Sequence, residues 1–410
     1  MGAAMRVGID FGTSNTSVAI LTEKGPELIE LEPGLTSIPT AIFYESGSRD
    51  FEIGSTAIKT YEAGEDGRLM RSIKSVLGSE LIDETTQLGS RAIPFRQVIQ
   101  DFLKALLLRV EQQTGQKITS VIQGRPVSFN DTDPERDANA QRVLGECLSA
   151  NGVTDISFLA EPIAAARTMG GKASGDRIVF IADIGGGTSD FCAVRLSGDG
   201  EGFHVLGSSG VYVGGNDFDR VLSFFEITPS FGRTETLELN NLPAPTANYV
   251  LLSDWKRHNL LYSPLVKKEI AWMRKYSPNS PGIRAFDYLV ENFEAGIYAQ
   301  KTEAAKIELS QRAQCAFHYK IPGADLRKEI ERGAFEDLIA EALISMSSAA
   351  QTCLTEAGLA PEQVTDIVMV GGSTFVPAVE NLFLSQFPKA EISRNDRFGA
   401  VAKGLALHQH

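Results

Sequence analysis

Residues 178–194 read Ile-Val-Phe-Ile-Ala-Asp-Ile-Gly-Gly-Gly-Thr-Ser-Asp-Phe-Cys-Ala-Val. The first five are almost wholly apolar, as in a short strand buried on both faces. That run stops at Asp183, and a second apolar run resumes after Asp190, so the stretch reads as strand, turn and strand. Gly185, Gly186 and Gly187 lie between them. Without Cβ atoms they are expected to take positive φ and to let a ligand approach the main chain, where several N–H groups can converge on one anion. Thr188 adds a hydroxyl donor. A tight hairpin needs only one or two glycines. Three, framed by Asp183 and Asp190, point to a phosphate with a cation between it and the carboxylates. A magnesium ion that keeps most of its waters suits such spacing. A purely structural hairpin is the competing reading of this segment taken alone.

Residues 6–20, Arg-Val-Gly-Ile-Asp-Phe-Gly-Thr-Ser-Asn-Thr-Ser-Val-Ala-Ile, repeat the pattern with Asp10, Gly12, Thr13, Ser14 and Asn15. Two such loops imply two similar lobes. A third glycine turn, Gly371-Gly372-Ser373, follows the apolar run 367–370. None of the three is a P-loop or a dinucleotide G-x-G-x-x-G fingerprint.

Together the three segments resemble the two phosphate loops and the adenosine loop of the actin, sugar-kinase and heat-shock ATPase superfamily. Further runs narrow the resemblance to the nucleotide-binding domain of the seventy-kilodalton heat-shock (DnaK-type) family. They are 9–13, 126–131 (Pro-Val-Ser-Phe-Asn-Asp), 161–166 (Glu-Pro-Ile-Ala-Ala-Ala), 183–190, 214–219 (Gly-Gly-Asn-Asp-Phe-Asp) and 370–374 (Val-Gly-Gly-Ser-Thr). They occur in the family's order across nearly the whole chain.

The resemblance implies an α/β actin-like ATPase fold: two lobes around a deep nucleotide cleft, each a mixed β-sheet flanked by helices in ribonuclease H-like repeats. The expected division is lobe I over 1–175 with a small inserted subdomain at 45–95, and lobe II over 176–391 with an enlarged outer subdomain at 221–330. A last helix in 392–410 is expected to return to lobe I. The implied cofactors are ATP or ADP with Mg2+. Asp10 and Asp183 would hold the metal through waters, and Asp10, Glu161, Asp183 and Thr188 would form the catalytic group. Gly12, Thr13, Ser14, Asn15, Gly185, Gly186 and Gly187 would hold the phosphates, with Gly214 and Gly215 closing on them. Glu303, Lys306, Ile307 and Ser310, with Gly371, Gly372, Ser373 and Phe375, would hold the nucleoside. On a helix at 293–311, Glu303, Lys306 and Ser310 share one face. A surface Glu–Lys pair has that spacing too.

Four positions depart from the family. The arginines that normally flank the purine are replaced by Ile307 and Phe375, which suggests an apolar sandwich for adenine. Asn216 stands where the family usually has Glu. The lysine that reaches the γ-phosphate in the family falls one place out of register at Lys59, and Lys74 aligns with a separate family lysine.

At 410 residues the chain can bury two domain cores. Its net charge of −13 argues against nucleic acid or an anionic membrane as the main partner. Cys147, Cys192, Cys315 and Cys353 are scattered without a C-x-x-C pair, as expected of reduced thiols. Met1-Gly2 matches only the start of a myristoylation signal, since Arg6 stands where Ser or Thr is wanted. No secretory leader or long apolar run is evident, which makes the cytoplasm the expected compartment. A monomer is the expected state.

The segment 97–114 has apolar positions Val98, Phe102, Leu106 and Val110 at helical spacing and stops near Gly115. Arg136, Asp137 and Arg142 read as a solvated helix face. Residues 226–300, with six prolines and two tryptophans, exceed the family's usual connection. The family's linker and peptide-binding β-sandwich would follow residue 410, so peptide clamping through that module is not expected. Three functions remain: a heat-shock-type, slowly hydrolysing ATPase acting through an unidentified protein client or co-factor, a small-molecule (sugar-type) kinase, or an actin-like scaffold.

Overall fold

The computed structural model describes residues 5–88, 91–130, 133–168, 176–197, 203–393 and 399–408. Met1, Gly2 and Asp131, and parts of the loops and of the C-terminal segment read above, lie outside them. Two compact units emerge. The first comprises 1–213, 346–374 and 382–410; the second comprises 214–345 and 375–381.

The first unit contains two sheets of the same design. In one, the strand Arg6–Phe11 pairs antiparallel with Asn15–Thr22, which pairs antiparallel with Gly25–Leu28. On its other side Arg6–Phe11 runs parallel to Ser120–Arg125, and that strand runs parallel to Asp155–Ala160. In the other sheet Arg177–Ile184 takes the place of Arg6–Phe11. It pairs antiparallel with Ser189–Leu196 and parallel with Asp366–Val370, with Phe203–Val211 and Glu391–Ser393 outside them. Asp10 and Asp183 each occupy the penultimate position of the central strand, so the repeat read in the sequence is also a repeat in topology.

Period-2 burial fixes each sheet's inner face. Val7, Ile9 and Phe11 are fully buried, as are Val98, Phe102, Leu106 and Val110 of the helix Phe95–Thr114. The rings of Phe11 and Phe102 lie 5.5 Å apart. That helix ends at Gly115, where the sequence predicted its stop, and Gly115 takes φ +67°, a left-handed cap. On the second sheet Phe180 stacks with Phe191 and packs at a tilt against Phe387, ring centroids 4.6 Å apart.

The short helix Glu161–Arg167 buries Ala164, Ala165 and Ala166 against the helix Ala400–Ala406. The approach is so close that a Cβ at Gly404 would overlap the Ala164 carbonyl, and one at Gly8 would sit 2.7 Å from the Ala402 oxygen. Small residues are therefore a steric requirement of this joint.

In the second unit, the helices Pro264–Lys275 and Pro281–Glu291 both begin with proline at their first turn. Each is capped by a serine, Ser263 or Ser280, whose hydroxyl accepts a backbone N–H. Two of the six prolines thus start α-helices. The hairpin Gln314–Ile321 with Ala324–Glu331 buries Cys315, Phe317, Tyr319 and Ile321 on one face. All four cysteines are buried and free. No helix among the described residues is long and apolar enough to cross a membrane.

Candidate functional site

The acidic residues picked out by the sequence gather at the ends of the two central strands. Asp183 lies directly opposite Asp190 in the antiparallel register, a placement in which like charges repel. Asp10 feels the charges of both Asp183 and Glu161. Asp10, Asp183 and Asp190 keep part of their surface open, so a hydrated ion can reach them. Protein nevertheless surrounds them closely enough to penalise charge. Burial first, then repulsion from Glu161, raises Asp10 well above the usual carboxylate range and Asp183 to about 7. Asp190 is pushed up to about 8 by burial and by Asp183, although the Thr188 hydroxyl donates to it at 3.1 Å.

Lys74 is the cation in this group. Its Nζ donates to Glu161 Oε1 at 2.6 Å, and both side chains are at least nine-tenths buried. Burial alone would lower the Lys74 pKa, but Glu161, Asp10 and Asp183 outweigh it and raise it. Lys59, the weaker match in the sequence, is exposed on the helix Gly54–Glu62. The structure therefore seats Lys74, not Lys59, beside the carboxylates. Four carboxylates facing one ammonium leave excess negative charge, which favours a divalent cation at this place. Among the described residues no cluster of three or more His, Cys, Asp or Glu is arranged to bind an ion directly.

The loops behave differently from expectation in one respect. Neither Gly12 nor any of Gly185, Gly186 and Gly187 has positive φ. The missing Cβ matters instead for space. At Gly12 a Cβ would collide with the Asn15 carbonyl, whereas at Gly185 and Gly187 its nearest contacts would be 3.6 and 3.8 Å. The fold itself would tolerate a side chain at those two positions, and glycine leaves the main chain accessible to an anion. The atom nearest a Gly187 Cβ would be Thr13 Cγ2, so the two loops face one another. Left-handed backbone appears at Gly371, φ +87°, which packs against the end of the Asp183 strand. After Gly372, Ser373 Oγ donates to the Gly185 carbonyl at 2.8 Å.

Thr40 and Ser72 escaped the sequence reading. The Thr40 hydroxyl donates to the Gly12 carbonyl at 2.7 Å, and its N–H donates to the Ser14 carbonyl at 2.8 Å. Thr16 Oγ1 completes the set at 2.8 Å. The Thr40 carbonyl in turn accepts the Ser72 N–H at 3.0 Å. Ser72, buried and at φ +54°, turns the chain into the short helix Ile73–Val76 that carries Lys74, a strained conformation for a residue with a side chain. Thr40→Val should destabilise the fold by about 1 kcal/mol, the scale of one buried hydrogen bond, and Thr40→Ser should restore it. Urea unfolding of the three proteins checks this.

Asp137 is not the solvated residue its helix position suggested. Its carboxylate accepts from Arg125 at 3.0 Å and from the Phe129 N–H at 2.6 Å, fixing the loop after the strand Ser120–Arg125.

The second unit holds the remaining sequence-predicted residues. Lys306, on the helix Ala295–Gln311, is buried; its Nζ pairs with Asp219 Oδ2 at 2.7 Å and donates to the Gly215 carbonyl at 3.3 Å. This ties Lys306 to the Gly214-Gly215 turn, whose helix Gly215–Leu222 is capped by Asp217. Ser310 Oγ donates back to the Lys306 carbonyl. Glu303 is partly exposed, and Ile307 and Phe375 are 50% and 45% exposed. The buried Nδ2 of Asn216 has no hydrogen-bond partner among the described residues, an unsatisfied donor suited to a ligand oxygen.

The pKa shifts carry a sign. A carboxylate whose folded pKa is raised binds its proton more tightly in the folded chain. The associated stability is therefore greatest below about pH 4 and is lost as pH rises towards about 7–8. Thermal melts of the ligand-free protein should fall over that window, and less so in Asp190→Asn. A magnesium nucleotide, by favouring the ionised forms, should flatten the fall.

Comparison with known proteins adds to this geometry. The family model described as Hsp70 protein matches residues 6–247 and 296–410, leaving 248–295 outside the match. "Chaperone protein DnaK" of one Thermus thermophilus strain is 24% identical over 438 aligned positions, covering 98% of this chain and 60% of that protein. The protein of the same name from a second strain of that species gives the same figures. "Chaperone protein DnaK" of Carsonella ruddii is 23% identical, with 98% and 62% covered. The chain thus spans about 60% of the length of these curated relatives.

Proposed function

This chain belongs to the Hsp70 family, and on that premise we propose that it binds ATP with magnesium and hydrolyses it slowly to ADP and phosphate. In the same proposal, nucleotide state sets lobe closure, and a protein client or co-factor reads it. The chain acts as a monomer in the cytoplasm.

The observation that carries this reading is the meeting of Asp10, Asp183, Asp190, Glu161 and Lys74 beside two glycine–hydroxyl loops. Main-chain N–H groups of 12–15 and 185–188 bind phosphate oxygens, and the Thr13, Ser14 and Thr188 hydroxyls add donors. Magnesium, when bound, supplies charge neutralisation and polarisation of the phosphate. Asp10 and Asp183 would hold the ion through its waters. Lys74 balances charge on the transferring phosphoryl group, and Glu161 holds Lys74 and orients the attacking water. Glu303, Lys306 and Ser310 bind the nucleoside, Gly371, Gly372 and Ser373 line its loop, and Ile307 and Phe375 cover the adenine.

Phosphate release should require magnesium and run well below the ~10 s⁻¹ typical of enzymes. A pull-down should recover different partners in the ATP and ADP states. Turnover that rises with a sugar acceptor would replace this reading with a kinase. Ile307→Asp or Phe375→Asp should weaken ATP binding more than magnesium pyrophosphate binding, as titration of both ligands will show; equal losses would remove these residues from the adenine site.

A further inference from the structure

Residues 248–295, outside the family match, carry a surface unlike the rest of the chain. Over 255–275 the sequence holds six lysines and arginines and one acid, Glu269, in a protein of net charge −13; Lys267 pairs with Glu291 and Arg274 with Asp287. The helix Pro264–Lys275 turns Val266, Ile270 and Met273 inward. Its outer face presents Leu265, Lys268, Trp272 and Lys275 at i, i+3, i+7 and i+10, a single stripe. Leu265 is 67% exposed, Trp272 is half-buried, and Lys268 and Lys275 are exposed and make no ion pair among the described residues.

Beside the start of this helix stands Phe293, 53% exposed. Its ring lies 4.7 Å from that of Tyr262, with Lys267 Nζ 4.7 Å above it. Phe293 has φ +59° just after the helix Pro281–Glu291, where glycine would be favoured. An aromatic ring is thus held out to solvent at a backbone position that disfavours it.

We infer that this face docks an acidic protein segment bearing aliphatic or aromatic anchors. Lys268 and Lys275, without an ion pair among the described residues although Lys275 Nζ lies 5.3 Å over the Tyr276 ring, alternate with Leu265 and the half-buried Trp272 and match carboxylates alternating with apolar residues. The stripe spans about 15 Å, room for a segment of about ten helical residues. The inference concerns the second unit alone and does not rest on the nucleotide reading.

The test is fluorescence anisotropy of the full chain with a labelled twelve-residue peptide of Glu, Asp, Leu and Phe, against versions with the acids changed to Gln and Asn or the apolar residues to Ser. The acidic, apolar peptide should bind, and both altered peptides should bind at least about tenfold more weakly. Lys268→Glu with Lys275→Glu, and separately Leu265→Ser, should each weaken binding to a similar degree without changing the thermal melt. Leu108→Ser, an exposed position in the first unit, should leave it unchanged. Absence of binding, or binding indifferent to these variants, overturns the inference. So does capture by anionic phospholipid vesicles through the same residues, or a dimer in sedimentation that Leu265→Ser dissolves.

Discussion

Lys74→Ala is expected to lose about 3–5 kcal/mol of stability, because it leaves the Glu161 carboxylate buried without its partner. The same substitution should lower ATP turnover by about 10²–10³-fold, the scale seen when one preorganised charge is removed from a reacting centre. These two effects are separable. Adding Glu161→Gln to Lys74→Ala removes both charges, so urea unfolding should recover much of the lost stability while turnover stays low. Recovery of both together would mean that Lys74 only supports the fold.

Asp10→Asn and Asp183→Asn should act in the opposite sense on the ligand-free protein. Each removes one of several mutually repelling carboxylates that burial already penalises, so the melting temperature should rise or hold. Magnesium nucleotide should then lose most of its power to raise that temperature, since ligand stabilisation follows affinity. Turnover should fall by about 10²-fold or more, since the proposed mechanism halves its metal-positioning charge with either change. Melts with and without Mg-ATP, alongside phosphate release, read both effects. Asp83→Asn, on an exposed carboxylate, should change neither.

Much of the first unit was legible because its signals are local. Apolar runs ending in Asp10 and Asp183, followed by glycine and hydroxyl residues, sit within single hairpins, and Val98, Phe102, Leu106 and Val110 mark a helix by spacing alone. Lys74 could not be placed this way. Its partner Glu161 is 87 positions away, and the resemblance drew attention to Lys59 instead. The Thr40 clasp on Gly12 is likewise a contact across 28 positions. Positive φ is absent at Gly12 and at 185–187, because left-handed backbone and room beside the main chain are two uses of a missing Cβ that look alike in sequence. In 226–300 the sequence showed only an enlarged outer subdomain rich in proline. Ser263-Pro264 and Ser280-Pro281, each followed by apolar residues at helical spacing, were the available signal for two capped helices.

The most direct measurement is electron paramagnetic resonance of Mn2+ titrated into the protein with ADP. A hydrated ion shared by the two central-strand aspartates predicts saturable binding in the wild type, weakened at least about tenfold by Asp10→Asn and by Asp183→Asn alike, with water protons still coupled to the metal. Equal Mn2+ affinity in all three proteins would contradict it.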